Sequence, residues 1–137
     1  MIRDITRDTI FLQQKSVPAA KEDLPLVQDL LDTLQAHEDH CVGLAANMIG
    51  TAKAIIAVKA GPQSIVMLNP VITKKSAKTY TAREGCLSLP GERSTVRHES
   101  IEVKYRDARF KKQQQKFSGF TAQIIQHEID HCNGILI

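Results

Sequence analysis

The chain has 137 residues, 42% of them apolar and 24% charged, with a formal net charge of +3. That length buries a real core and suits one domain spanning residues 1–137, and the composition is that of a globular protein, not of a disordered or fibrous one. The mild charge points to no nucleic-acid site, aromatic residues at 4% are too sparse for a base-stacking platform, and no apolar run approaches the ~20 residues of a membrane span. Met1 to Thr9 alternates charges without an apolar stretch, so no signal peptide is read. Three cysteines, Cys41, Cys86 and Cys132, suggest free thiols or a metal ligand in place of a disulfide framework. The expected compartment is the cytoplasm.

Residues 1–20 read as an N-terminal arm carrying Ile5, Ile10, Phe11 and Leu12 and stopping at Pro18. The spacing of Leu24, Val27, Leu30, Leu31 and Leu34 predicts a helix over 22–40, with Pro25 in its tolerant first turn. Its tail, His37-Glu38-Asp39-His40, reads as a solvated helix end because no apolar face continues past it. Cys41 to Gly50 is a small-residue stretch that lets backbone approach a partner closely. Ala54–Val58 and Ile65–Asn69 read as strands joined by a Gly61-Pro62 turn, Val71–Tyr80 as another strand, and Arg83–Ser94 as a loop holding Gly85, Pro90 and Gly91. Residues 95–106 alternate through Val96, Ile101, Val103 and Tyr105 and can pair with 113–120; the basic stretch Arg106–Lys112 between them admits a nucleic-acid reading, but an exposed hairpin tip is the favoured one. A last helix runs from Gly119 or Phe120 to Cys132 and stops at Asn133-Gly134. The fold class is therefore α+β, with antiparallel strands packed around a C-terminal helix.

That helix carries His127-Glu128-Ile129-Asp130-His131, an H-E-x-x-H pattern. At about 100° per residue, four helical steps return the second imidazole to nearly the same face. Two imidazoles so placed can grip one metal ion, with the Glu working on a water the ion polarises. The bland alternative is an ordinary structural helix. A hydrolytic site needs a third protein ligand, and Cys86, Cys41, His37, His40, His98 and several carboxylates are candidates. Cys86 stands out for its context, Arg83-Glu84-Gly85-Cys86-Leu87-Ser88-Leu89-Pro90, where a Gly frees the backbone beside the thiol and a Pro closes the loop.

With these residues in view the sequence resembles the peptide deformylase family. The family pattern G-x-G-L-A-A-x-Q is met by Gly43-Leu44-Ala45-Ala46, E-G-C-L-S by Glu84-Gly85-Cys86-Leu87-Ser88, and H-E-x-D-H by His127-Glu128-Ile129-Asp130-His131, in that order. The resemblance runs from the Arg3-Asp4-Ile5 arm to Gly134-Ile135-Leu136. It implies one divalent metal ion held by Cys86, His127 and His131, ferrous iron in the cell, with zinc or nickel as substitutes. It implies Glu128 as general base and then general acid, and the Leu87 backbone N–H as a donor to the developing oxyanion. The Val42–Gly43 backbone would align the peptide, and Phe120 and Ile124 would line the methionine pocket. The implied reaction removes formate from the N-formyl-methionine of new polypeptides. Glu84 is expected to pair with a nearby Arg, and Asp130 to support the site or form a surface salt bridge.

The first motif departs from the family twice: its leading Gly is Cys41 and its Gln is Met48. A thioether donates no hydrogen bond, and loss of one oxyanion donor lowers rates by about 10²–10³, so reduced activity is expected. The C-terminal helix of longer family members is not present in these 137 residues, so ribosome docking by that route is not expected. The expected partners are N-formyl-methionyl peptides, with no membrane and no direct nucleic-acid site. Two other readings stay open: a deformylase-like protein that binds metal or peptide without this chemistry, and a peptidase or amidase using the same H-E-x-x-H metal.

Overall fold

A computed structural model describes residues 1–137. The arm expected at residues 1–20 is largely extended, with a short helix α1 at Thr9–Leu12 whose N–H groups at Ile10 and Phe11 are capped by Asp8. The next helix, α2, is Pro25–Ala36, shorter than the predicted 22–40. A 3-10 turn at Lys21–Asp23 precedes it, and beyond Ala36 the sequence offers no further apolar residues to hold a helical turn against the core.

The small-residue stretch becomes β1, Gly43–Ala45, followed by a fully buried 3-10 turn at Ala46–Ile49. β2 (Ile55–Ala60) and β3 (Gln63–Lys75) form the expected hairpin. All of Ile55–Val58 is buried, so both faces of β2 are covered, which explains why its sequence shows no clean alternation. β3 is one long strand where two were predicted. It bends at Asn69, which takes φ 54° at a register shift, and the Asn69 amide clamps the N-terminal arm by accepting from Ala19 N at 2.7 Å and donating to Ala19 O at 2.9 Å.

The predicted loop at Arg83–Ser94 is instead a hairpin: β4, Thr79–Cys86, pairs antiparallel with β5, Leu89–His98, in its own two-stranded sheet. Gly85 and Gly91 lie inside these strands, and such an outlying pair tolerates them because little packs on its outer surface. The strand predicted over 95–106 breaks at Glu99 into the end of β5 and a separate β6, Ser100–Arg106; β7, Lys112–Ser118, pairs with β6 as expected. The main sheet is antiparallel in the order β1-β2-β3-β6-β7.

The last helix, α3, spans Gly119–Cys132 as predicted. It packs on β1, β2, β6 and β7, while α2 packs on β1 and β2. Gly134, at φ 76°, ends the helix where a Cβ would sit 2.2 Å from Gln13 O, so the stop is also the point where the N-terminal arm crosses α3. No helix is long and apolar enough to cross a membrane.

Candidate metal and active site

α3 turns His127, Glu128 and His131 inward, and each is more than nine-tenths buried. Their ligand atoms lie within 4.8 Å of one another, and the two rings meet edge to face with centroids 4.5 Å apart. The tip of the β4–β5 hairpin brings Cys86 to the same cleft as this cluster, where both imidazoles act on its thiol. Residues separated by some forty positions in sequence thus meet because the hairpin folds back over α3.

Charge holds that arrangement. His127 Nδ1 donates to Glu84 Oε1 at 2.8 Å, and Arg97 grips the same carboxylate through Nη2 at 2.6 Å and Nε at 3.0 Å. Arg97 Nη1 donates to Asp130 Oδ2 at 2.6 Å, so one buried guanidinium ties β4 to α3. This is the Arg expected for Glu84, and it answers the open question over Asp130, which is a quarter exposed and sits in a salt bridge. On the far side, His131 Nδ1 donates to Glu128 Oε1 at 2.9 Å, its Nε2 lies 3.3 Å from Ile137 O, and Asn47 Nδ2 donates to His131 O at 2.9 Å.

The titration of the cluster follows from these contacts. Burial alone would raise the Cys86 thiol, but hydrogen bonds from both imidazoles bring it down to about 6. Burial works against charge on His127, yet Cys86 and Glu84 lift it to about 9; the Glu128 charge and Cys86 lift His131 to about 10 against the same penalty. Uptake of a divalent cation by the thiol and the two rings would release the protons they carry. An anionic sulfur beside two nitrogens suits a divalent transition metal, and the Glu84 contact on His127 Nδ1 fixes the ring so that Nε2 is free to ligate.

A cleft of about 200 Å³ opens onto this cluster. Val42, Gly43, Leu87, Phe120 and Ile124 line it together with Cys86, His127 and Glu128. Gly43 is there for a steric reason: a Cβ would lie 2.7 Å from Ile124 Cγ2 and 2.9 Å from Glu128 Oε2. The β1 backbone therefore runs directly against the Glu128 carboxylate.

The other candidate ligands fall elsewhere. His37 bonds Thr33 O at the end of α2, His98 Nδ1 bonds Ser76 O, and His40 sits on the cleft rim. Cys41 lines the cleft, but its thiol donates to Gly43 O at 2.9 Å and burial pushes it up to about 12. Sequence reasoning missed Arg97, Asn47 and Gln126. Gln126 joins α3 to the hairpin by accepting from His98 N and donating to His98 O, each at 2.9 Å. No local signal marks any of the three, because each acts across a long sequence separation.

The polypeptide deformylase family model matches residues 2–137. The chain belongs to the polypeptide deformylase family. A peptide deformylase from Clostridium beijerinckii is 55% identical over 137 residues, covering 100% of both chains. One from Pelotomaculum thermopropionicum is 42% identical over 124 residues, covering 89% of this chain and 78% of its own length. The Met-Ala-Ser bound crystal structure of class I type b peptide deformylase from Acinetobacter baumannii matches with a TM-score of 0.90 at 30% identity, over 99% of this chain and 97% of that one. Deformylases are metal-dependent hydrolases, and that is the class of this chain. Within this deformylase frame, Met48 is almost wholly buried in the turn after β1 and lies with Cys86, Ser88 and His131 around a small internal cavity behind the cluster.

Proposed function

We propose that the protein removes the formyl group from the N-terminal formyl-methionine of newly made polypeptides in the cytoplasm. Cys86, His127 and His131 would hold one divalent ion, ferrous iron in the cell, with zinc or nickel able to substitute. When bound, the ion supplies Lewis acidity toward water and the formyl carbonyl. Glu128 takes a proton from the attacking water as its oxygen bonds to the formyl carbon. It passes a proton to the amine nitrogen as the carbon–nitrogen bond breaks, leaving formate and a free α-amine. The Leu87 N–H, beside Cys86, donates to the oxygen that gains charge. The Val42–Gly43 backbone aligns the peptide, with Phe120 and Ile124 against the methionine side chain.

The observation that carries this reading is the Glu128 carboxylate held between the Cys86–His127–His131 cluster and the β1 backbone, at the wall of an open cleft. The relative that binds Met-Ala-Ser has the same fold over nearly the whole chain, which supports a peptide N-terminus as the occupant. Met48 favours a second reading, metal or peptide binding with slow turnover, because a thioether supplies no donor.

The test is formate release from N-formyl-Met-Ala-Ser by anaerobically prepared, iron- or nickel-loaded protein, with unformylated Met-Ala-Ser as control. Wild type is expected to release formate, and Glu128→Ala to be slower by about 10²–10⁴-fold while retaining its metal. Metal-loaded wild type that releases no formate from any formyl-peptide overturns the proposal. Cleavage of the unformylated peptide would make it a peptidase instead.

A further inference from the structure

The end of the main sheet farthest from β1 has an open face. In β6, Ile101, Val103 and Tyr105 turn into the core, so Glu102, Lys104 and Arg106 turn away from it. Ladder partners share a face. Glu102 lies opposite Lys74 on β3 and Lys116 on β7, Lys104 opposite Val71 and Gln114, and Arg106 opposite Lys112. One sheet face therefore carries Lys74, Lys104, Arg106, Lys112 and Lys116 around a single carboxylate. α2 covers β1 and β2 only, and leaves this end uncovered.

The charge on this face is concentrated and little offset. None of the five cations forms an ion pair, as is also true of Arg7, Lys15, Lys21, Lys75 and Arg93 elsewhere, but only here do so many share one sheet face. Glu102, the one acid among them, is buried and accepts from the Gln114 amide. The hairpin tip extends the same edge with Arg109 and Lys111, while Asp107 is spent on the backbone N–H groups of both and on Gln113. Same-face neighbours stand about 6.8 Å apart along a strand and about 4.8 Å apart between strands. The charges thus cover a patch of about 14 by 10 Å, the scale of several phosphates on a nucleic-acid backbone.

We propose that this face docks the phosphate backbone of a nucleic acid, without reading its sequence. At one corner Arg106 lies opposite Leu68, stacks on the Phe110 ring and donates to Phe110 O; the rest of the face carries no aromatic side chain and Val71 as its one apolar residue, which leaves little to stack on bases or to enter a lipid surface. The hairpin tip that reads as merely exposed in the sequence is then one margin of a larger basic surface. The proposal does not depend on the deformylase reading, since none of these residues lines the cleft.

The experiment is fluorescence anisotropy of the full-length protein with a labelled RNA duplex of about 20 base pairs, at 50 and 200 mM salt, alongside vesicles containing phosphatidylserine. Contact with four to five phosphates predicts a log K against log salt slope of about −4, a loss of about 10²-fold between the two salts. Lys104→Glu with Lys112→Glu and Lys116→Glu is expected to abolish binding, and the same three changed to Gln to lower the slope by about 3. Thermal unfolding confirms that these exposed variants fold, and formate release checks that their cleft is unaltered. No binding at 50 mM salt, affinity unchanged in the folded variants, or tighter binding to the vesicles than to RNA each overturns the proposal.

Discussion

The wall of the cleft made by β4 and α3 is held by charge, whereas the opposite wall, made by β1 and the turn after it, is held by the absence of side chains. On the first, His127, Glu84, Arg97 and Asp130 form a chain of hydrogen-bonded charges, three of them almost fully buried. On the second, Gly43, Leu44, Ala45 and Ala46 let backbone press against Glu128 and Ile124. The difference teaches how each wall fails. Removing a member of the first leaves a partner buried without compensation, which is expensive in stability. Adding atoms to the second moves a reacting group, which is expensive in rate.

Gly43→Ala is the sharpest way to probe that contrast. The added methyl would need Ile124 Cγ2 and Glu128 Oε2, at 2.7 and 2.9 Å, to give way. A shift of about 1 Å at a reacting carboxylate costs on the order of 10² in rate, so kcat/KM for N-formyl-Met-Ala-Ser is expected to fall by about that much with bound metal unchanged. If metal is lost together with activity, the second wall supports the metal cluster as well and the division between the walls is wrong.

The two walls were also unequally legible. His127, Glu128 and His131 announce themselves because a helix repeats its face every few residues, so spacing alone places them together. Cys86 stands out through its neighbours Gly85 and Leu87, but the hairpin presenting it looks like a loop in sequence: Gly85, Pro90 and Gly91 are turn residues by local rule, and only pairing across β4 and β5 makes strands of them. Glu84 calls for an Arg partner, but nothing local points to Arg97, since an Arg in mid-strand is ordinary until Glu84 and Asp130 arrive from either side. Likewise the sequence of β3 suggests a division at Asn69-Pro70, where the chain bends without breaking and the Asn69 amide is tied to Ala19. Local chemistry was readable, and long-range partnership was not.

A smaller effect is expected on the second wall at Met48. Met48→Gln restores an amide donor at the position where the family pattern has one, and a lost donor of that kind costs about 10²–10³. Recovery should be partial, because Met48 is 1% exposed and the new amide must be buried beside Asn47, whose Oδ1 also lacks a partner within the chain. A gain in kcat of about 10-fold to 10²-fold is expected, with unfolding in urea showing an unchanged or slightly lowered stability. A variant slower than wild type would mean that this wall has repacked around the thioether and obtains its oxyanion donors from elsewhere.

The mildest probe acts on the charged wall through pH. Burial raises the Glu84 carboxyl, but its hydrogen bonds with His127 and Arg97 outweigh that and bring it from 4.5 down to about 2. A carboxyl depressed on folding binds fewer protons in the native chain than in the unfolded one, so stability rises with pH across that interval. The contribution is whole above about 4.5 and disappears as pH falls toward about 2. Glu84→Gln keeps the shape and removes the titration, so its stability should vary less between pH 5 and pH 3 than that of wild type in urea unfolding. At pH 7 the variant should be weaker by about 1–3 kcal/mol, since Arg97 then keeps only Asp130, which is already a quarter exposed. Equal pH dependence in the two proteins would show that the buried charges of this wall hold geometry without contributing stability, and the contrast between the walls would then be one of catalysis alone.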